Sequence, residues 1–336
     1  MKRCGDNAIV ALVMGRFVRY VTDGPQRDGA NGRIVAVRSP LILHVESRRV
    51  SDTLDSSFRP LVIGAQYPAL ERGLTADILS AQGFSTTPLT VCTSHVVAGH
   101  GVVTDVLEVP SDTVRAQLEH VFETASPTAA KIGVVGSPAS AEAIFDMLDA
   151  YLDGPVVLDL TLSGPSGEDI VEPETLEVIS ERMGAADLVS ASLTDATLLA
   201  GMEIPSLDDA QVAAQRMGQR GASHVLLRCG RLATHHFDTE TEAPNYAVDL
   251  FYDGEELAVF EAPFVDGVSH LSGRSSGLMM SILQSLWSGR SLVDALRASK
   301  AVVTEALREA TQTEQPSAAS AYFGALHHRM LSDVAE

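Results

Sequence analysis

The chain has 336 residues, 45% of them hydrophobic, and a formal net charge of −20, so its apolar content is enough to bury one large domain or two. The first 60 residues hold ten basic and six acidic side chains, which places the acidic excess in the remainder, and a surface of that sign repels nucleic acid and anionic lipid. No apolar run approaches the roughly 18 residues of a membrane span, and Cys4, Cys92 and Cys229 have neither disulfide-framework nor zinc-site spacing, so a cytoplasmic protein is expected.

Residues 1–57 contain short apolar runs broken by Arg, Gly, Asp and Pro, with no sustained period of 2 or 3.6. They read as a poorly ordered extension. From Leu61 the texture becomes regular. Strands are expected at 61–64 (LVIG), 90–93 (TVCT), 131–135 (KIGVV), 156–160 (VVLDL), 187–192 (DLVSAS) and 224–230 (HVLLRCG). Between them lie amphipathic segments near 69–82, from Ser111 to about Thr124, from Ser137 to about Tyr151, and at 173–183, 194–200 and 207–220; their apolar spacing specifies helices. Strand and helix in alternation specify an α/β fold with a doubly wound, mostly parallel sheet and helices on both faces. Ligands of such sheets bind beyond the carboxyl ends of the strands.

Further along, AVDLFYDGEELAVF has two alternating runs around Asp253-Gly254, a small β-hairpin signal. Next comes DGVSHLSGRSSGLMMSIL, from Asp266 to Leu283, a Gly/Ser-rich loop opening into an apolar helix. Such a junction aims free backbone N–H groups and a helix dipole at one point, which suits an anion. Gly273 and Gly277 are the positions at which the chain is expected to approach a ligand closely. A helix from about Ser291 to Glu309 follows. The expected organisation is therefore an extension at 1–57, one domain at 58–312, and a helical, peripheral tail at 313–336.

With these segments in this order, residues 61 to about 310 resemble the ribokinase-like superfamily, and most closely its hydroxymethylpyrimidine/phosphomethylpyrimidine kinases of thiamine synthesis. Lys131-Ile132-Gly133 resembles the family's T-K-I-G strand, Val157-Leu158-Asp159 its V-L-D-P-V strand, and Arg228-Cys229-Gly230 stands where it has K-G-G. Leu193 to Ala196 falls at T-P-N-x-x-E-A, and His270 to Ser275 lies without gaps over H-G-T-G-C-T. The resemblance implies ATP-dependent phosphorylation of hydroxymethylpyrimidine or a related small alcohol or phosphate substrate, with ATP and Mg²⁺ as cofactors if the chain is active.

The departures are concentrated where that family does its chemistry. Its substrate-binding Asp is Gln66 here, its Q-N pair is Val97-Ala98, its T-P-N is Ser190-Ala191-Ser192, and its catalytic Cys aligns with Arg274. A guanidinium stays protonated at neutral pH and cannot act as a base, although it holds phosphate well. By resemblance, then, Arg274 and His270 occupy catalytic places, with His270 either a proton acceptor or a residue whose hydrogen bond fixes the loop. Gln66 and Val97 occupy substrate-binding places. Ser272, Gly273, Ser275, Ser192 and Arg228 occupy nucleotide- or anion-binding places. Asp159 either reaches a metal through water or caps its turn.

His235-His236 as a metal pair is disfavoured, since neighbours on a strand face opposite ways, and Cys229 reads as a core residue. Two functions follow: a divergent phosphomethylpyrimidine kinase, or a catalytically impaired pseudokinase that binds a phosphorylated or pyrimidine-like ligand as a sensor or partner subunit. The partner expected is a small molecule, not nucleic acid or membrane; a homodimer is left open.

Overall fold

The computed structural model describes residues 8–13, 16–21, 34–37, 58–68, 70–99, 101–164, 166–232, 246–268, 271–312 and 318–335. Within the span expected to be an extension, β1 (Ala8–Val13) and β2 (Arg16–Val21) form an antiparallel hairpin in a compact unit of its own, Met1–Arg33. The second unit begins at Ile34. Its first strand, β3 (Ile34–Val37), runs parallel to a strand far along the chain.

The second unit is built on a ten-stranded sheet. Its remaining strands are β4 (Pro60–Gln66), β5 (Leu89–Gly99), β6 (Val102–Glu108), β7 (Ala129–Ile132), β8 (Val156–Asp159), β9 (Leu188–Ser192), β10 (Val225–Gly230), β11 (Tyr246–Tyr252) and β12 (Leu257–Pro263). The spatial order is β3-β12-β11-β10-β9-β8-β7-β4-β5-β6. From β10 across to β5 every pairing is parallel, while β6 and the β11–β12 hairpin are antiparallel additions. This is the mostly parallel α/β sheet that strand-helix alternation implied.

Side-chain alternation along the strands sorts the core into two layers. In β4, Leu61 and Ile63 join one apolar cluster and Val62 the other; in β8, Val156 and Leu158 are divided from Val157 in the same way. The first cluster is closed by α2 (Ser111–Ala125), α3 (Pro138–Tyr151), α4 (Pro173–Arg182), α5 (Leu193–Ala200) and α6 (Leu207–Gln219). The opposite cluster is closed by α1 (Leu74–Gln82), α7 (Arg274–Trp287), α8 (Leu292–Thr311) and α9 (Ala318–Ala335). Several helix starts follow directly from sequence. Ser137, Ser192, Ser206 and Ser291 each accept a hydrogen bond from the backbone N–H three residues on, capping α3, α5, α6 and α8, which satisfies one otherwise orphaned donor apiece.

Three elements differ from their sequence expectation. The strand expected at 90–93 extends through Gly99 and is returned by β6. β6 forms the sheet edge and is mostly exposed along its length, so no buried face imposes the alternation by which a strand is recognised. The helix expected from about 69 begins only at Leu74. Finally, α9 is not peripheral: Tyr322 is fully buried, and Phe323, Leu326 and Met330 join it in the core over α7 and α8.

Candidate functional site

Strand parity decides which polar groups meet. Val157 and Leu226 point into the α1/α7 layer, so Asp159 and Arg228, two residues further along the same strands, point the same way. Lys131 pairs with Val157 and Asp159 with Ser190 in the parallel register, which places Lys131 and Ser190 on that face too. All four lie toward the carboxyl ends of their strands. Lys131, Asp159 and Arg228 border a cleft of about 490 Å³ lined also by Tyr67, Arg72, Asp77, Ser192 and the loop from Leu271 to Ser276.

The cleft floor is a buried ionic chain. Lys131 Nζ lies 2.9 and 3.1 Å from the two carboxylate oxygens of Asp77 on α1, and 3.4 Å from Asp159 Oδ2. Asp159 Oδ1 accepts a hydrogen bond from Arg228 Nη1 at 2.8 Å, and Ser275 Oγ lies 2.9 Å from both Asp159 oxygens. Arg228 also donates to Ser190 Oγ. Burial by itself would raise the Asp159 pKa, but Arg228, Lys131 and the Ser275 hydrogen bond outweigh it and hold the carboxyl below its usual 3.8. Burial likewise opposes charge on Lys131, yet Asp77 and Asp159 hold its ammonium above its usual 10.5. Asp159 and Lys131 are thus ionised throughout the neutral range.

Above it sits the start of α7, with Gly273 at φ 82 as N-cap residue and Arg274 as first residue. Arg274 Nε donates to the Leu271 carbonyl at 3.1 Å, and Arg72 Nε lies 3.4 Å from Ser272 Oγ. The Arg274 side chain keeps surface on the cleft while the surrounding loop desolvates it. Burial lowers its pKa from the usual 12.5, and repulsion from Arg228 and Arg72 adds to this against an opposing contribution from Tyr322. Three guanidinium groups and the positive end of a helix therefore face one space, an arrangement that favours an anion carrying more than one charge.

The two glycines singled out in this loop serve a different contact from the one expected. A Cβ at Gly273 would stand 2.2 Å from Phe323 Cζ, and one at Gly277 would stand 2.2 Å from Tyr322 Oη. Both positions make room for the aromatic side chains of α9. Gly277→Ala is accordingly expected to destabilise the protein by about 1–3 kcal/mol, the usual cost of overpacking a rigid core. Thermal melting checks this, and an unchanged melting temperature would show that Tyr322 moves aside freely.

The other sequence-selected residues are distributed unevenly. Ser192 lines the cleft, but its hydroxyl is committed: it donates to Asp195 Oδ2 at 2.6 Å and caps α5. Asp195 in turn accepts from the Leu162 and Ser163 backbone N–H groups, tying down the loop after β8. Gln66 does not line the cleft; its amide donates to Thr75 Oγ1 at 3.0 Å. Val97 is 46% exposed on the β5–β6 hairpin, also away from the cleft lining. His270, His235 and His236 lie outside the described residues. Cys229 is buried, and burial pushes its thiol up to about 12, which suits a core residue. Sequence reasoning did not select Lys131, Asp77 or Arg72 as site residues. The one available signal was a lysine inside the apolar strand AAKI, in a chain with two other lysines.

A divalent cation does not fit at Asp159. Both carboxylate oxygens already face cationic side chains, and no group of three His, Cys, Asp or Glu side chains among the described residues is placed to hold a metal.

An ionic floor beneath a helix start at the carboxyl edge of a parallel sheet is the layout of a small-molecule site in a doubly wound α/β protein, and the fold is that of the ribokinase-like vitamin kinases. Pyridoxal kinase from Bacillus subtilis, solved as an ADP complex, superimposes with a TM-score of 0.65 at 24% identity over 76% of this chain and 93% of that one. Phosphomethylpyrimidine kinase from Clostridium difficile does so with a TM-score of 0.60 over 74% and 99%. Pyridoxal kinase from Staphylococcus aureus, solved with AMP-PCP, gives 0.63 over 75% and 88%. In sequence, the hydroxymethylpyrimidine/phosphomethylpyrimidine kinase of Aquifex aeolicus is 30% identical over 239 residues, covering 70% of this chain and 89% of the relative. A profile of the phosphomethylpyrimidine kinase family matches residues 72–319. The chain belongs to the phosphomethylpyrimidine kinase family.

Proposed function

We propose that the cleft binds a phosphorylated small molecule and that the chain is a binding member of its family rather than an efficient phosphotransferase. The observation that carries this reading is a division of labour at the cleft. Arg72, Arg228 and Arg274 converge on the start of α7, while the carboxylates of the described lining are each engaged by a cation: Asp77 by Lys131, Asp159 by Lys131 and Arg228, Asp249 by Lys300 at 2.5 Å. Phosphoryl transfer to an alcohol is helped by a positioned proton acceptor, whose loss typically costs about 10² to 10⁴ in rate. Arg274 cannot take that part, but it adds an anion clamp where backbone N–H groups already point.

A second reading, an active kinase using ATP and Mg²⁺ on hydroxymethylpyrimidine or a related alcohol, is favoured by the family profile spanning most of the chain. The apolar end of the cleft, with Ala247, Val303 and Leu307, is compatible with a nucleotide base. This reading places the metal on residues other than Asp159.

A coupled assay with Mg·ATP and hydroxymethylpyrimidine or pyridoxal separates the two. Turnover is expected far below the roughly 1–100 per second of typical kinases. Phosphate esters are expected to raise the melting temperature, by the equivalent of about 2.7 kcal/mol at a hundredfold excess over Kd, and Arg274→Ala is expected to remove that effect. Turnover near one per second, lost in Arg274→Ala, would establish the kinase reading and make Arg274 catalytic.

A further inference from the structure

We infer that this cleft holds its phosphate group without a divalent metal: Lys131 and Arg228 take up the carboxylate oxygens that a cation would use, and the guanidinium groups of the lining hold the phosphate. The inference rests on the reading that the cleft binds a phosphorylated ligand, and it narrows that ligand to a metal-free phosphate ester. Asp159 stands at the carboxyl end of a central strand, where a carboxylate could carry a hydrated metal. Here, however, Arg228 lies 2.8 Å from one of its oxygens, Lys131 3.4 Å from the other, and Ser275 Oγ 2.9 Å from both. A metal-bound water at Asp159 would have to displace one of these donors, and the displaced cation would remain within a few ångströms of the ion. Asp77 does not relieve the conflict, because it is buried and engaged by Lys131. Together the four residues form a neutral chain of two anions and two cations. The guanidinium groups of Arg72 and Arg274 lie beyond it on the cleft lining. A dianion entering this space meets neutralising charge already in place, whereas a divalent cation meets repulsion.

Arg228 is the positioning residue of this arrangement. It spans from β10 to Asp159 and Ser190, and its side chain keeps 18% exposure toward the cleft. Replacing it uncovers Asp159 Oδ1 and leaves Lys131 as the nearest cation.

The test is isothermal titration of the full chain with inorganic phosphate and, separately, ADP, each in excess EDTA and in excess Mg²⁺. At least one probe is expected to bind in EDTA with an affinity within about threefold of that in Mg²⁺, and Mg²⁺ alone is expected to leave the melting temperature unchanged. In Arg228→Met, affinity in EDTA is expected to fall roughly tenfold or more, the effect of losing a charge-assisted contact, with Mg²⁺ restoring part of it. Binding by the wild-type chain only when Mg²⁺ is present would overturn the metal-free inference while leaving the phosphate-binding reading intact. No binding of either probe in either buffer would overturn both. Should Arg228→Met fail to fold, the two wild-type arms still decide the question.

Discussion

Lys131→Met is expected to lower stability by about 3–5 kcal/mol, the usual effect of removing one partner from a buried ion pair, and to lower the melting temperature by roughly 6–20 °C for a domain of this size. Lys131 is 3% exposed and is the cation shared by Asp77 and Asp159. Methionine fills its volume but leaves Asp77 charged and unpaired, whereas Asp159 keeps Arg228. The double variant Asp77→Asn/Lys131→Met is expected to recover most of the loss, which separates the charge effect from packing. The pH dependence has a definite sign. In the wild-type chain the folded Asp159 pKa lies below 3.8 and the folded Lys131 pKa above 10.5. The Asp159 contribution is therefore present above about pH 4 and lost as pH falls through its folded value. The Lys131 contribution is fully present below about pH 10 and lost as pH rises through its folded value. Because only the wild-type chain has the Lys131 contribution, the difference in melting temperature between wild type and variant is expected to hold through the neutral range and to narrow as pH rises above about 10.5. A difference that does not narrow at high pH would show that lost packing, not lost charge, is responsible.

Tyr322→Ala is expected to cost about 3–5 kcal/mol, the range for truncating a buried aromatic side chain, and Tyr322→Phe to be neutral or stabilising. The contrast follows from two facts about one side chain: its ring is fully buried, and its hydroxyl has no hydrogen-bond partner among the described residues. Burial also raises its pKa, so the group stays a neutral phenol. A buried unsatisfied hydroxyl costs about 1–3 kcal/mol, a cost that phenylalanine avoids while keeping the packing. Because the Tyr322 hydroxyl sits over Gly277 and the neighbouring Phe323 over Gly273, α9 also fixes where α7 begins. Tyr322→Ala is therefore expected to weaken phosphate-ester binding at Arg274 beyond its effect on folding, measured by titration below the melting range. Unchanged affinity would confine α9 to a stability role, and a large loss of stability in Tyr322→Phe would reveal a partner for the hydroxyl.

The α/β class, the parallel sheet, the β11–β12 hairpin and the helix starts at serine caps were determined by the sequence itself. Each rests on residues close together in the chain: apolar spacing of 2 or 3.6, a Ser three residues ahead of the N–H it caps, an Asp-Gly turn between alternating runs. The same local logic marked the loop at Ser272 to Ser276 as an anion site, while the resemblance to the kinase family exposed Arg274 in the place of its catalytic Cys. Elements lacking a buried face left no such trace, as at β6, and a helix covered by distant partners was misjudged, as at α9.

What only the tertiary structure decided is which residues meet across sequence distance. Asp77, Lys131, Asp159, Arg228 and Ser275 come from five different elements, and they converge because strands β7, β8 and β10 share the sheet and present the same parity to α1 and α7. No local pattern encodes strand order, so the Asp159 carboxylate read equally as a metal ligand or a turn cap until Lys131 and Arg228 were seen on its two oxygens. Likewise, Gly273 and Gly277 signal close approach from sequence alone, but only the packed fold shows that what approaches is α9. The physical reason is the same in both cases: hydrogen bonding and periodicity act over a few residues, whereas charge pairing and steric fit act through space.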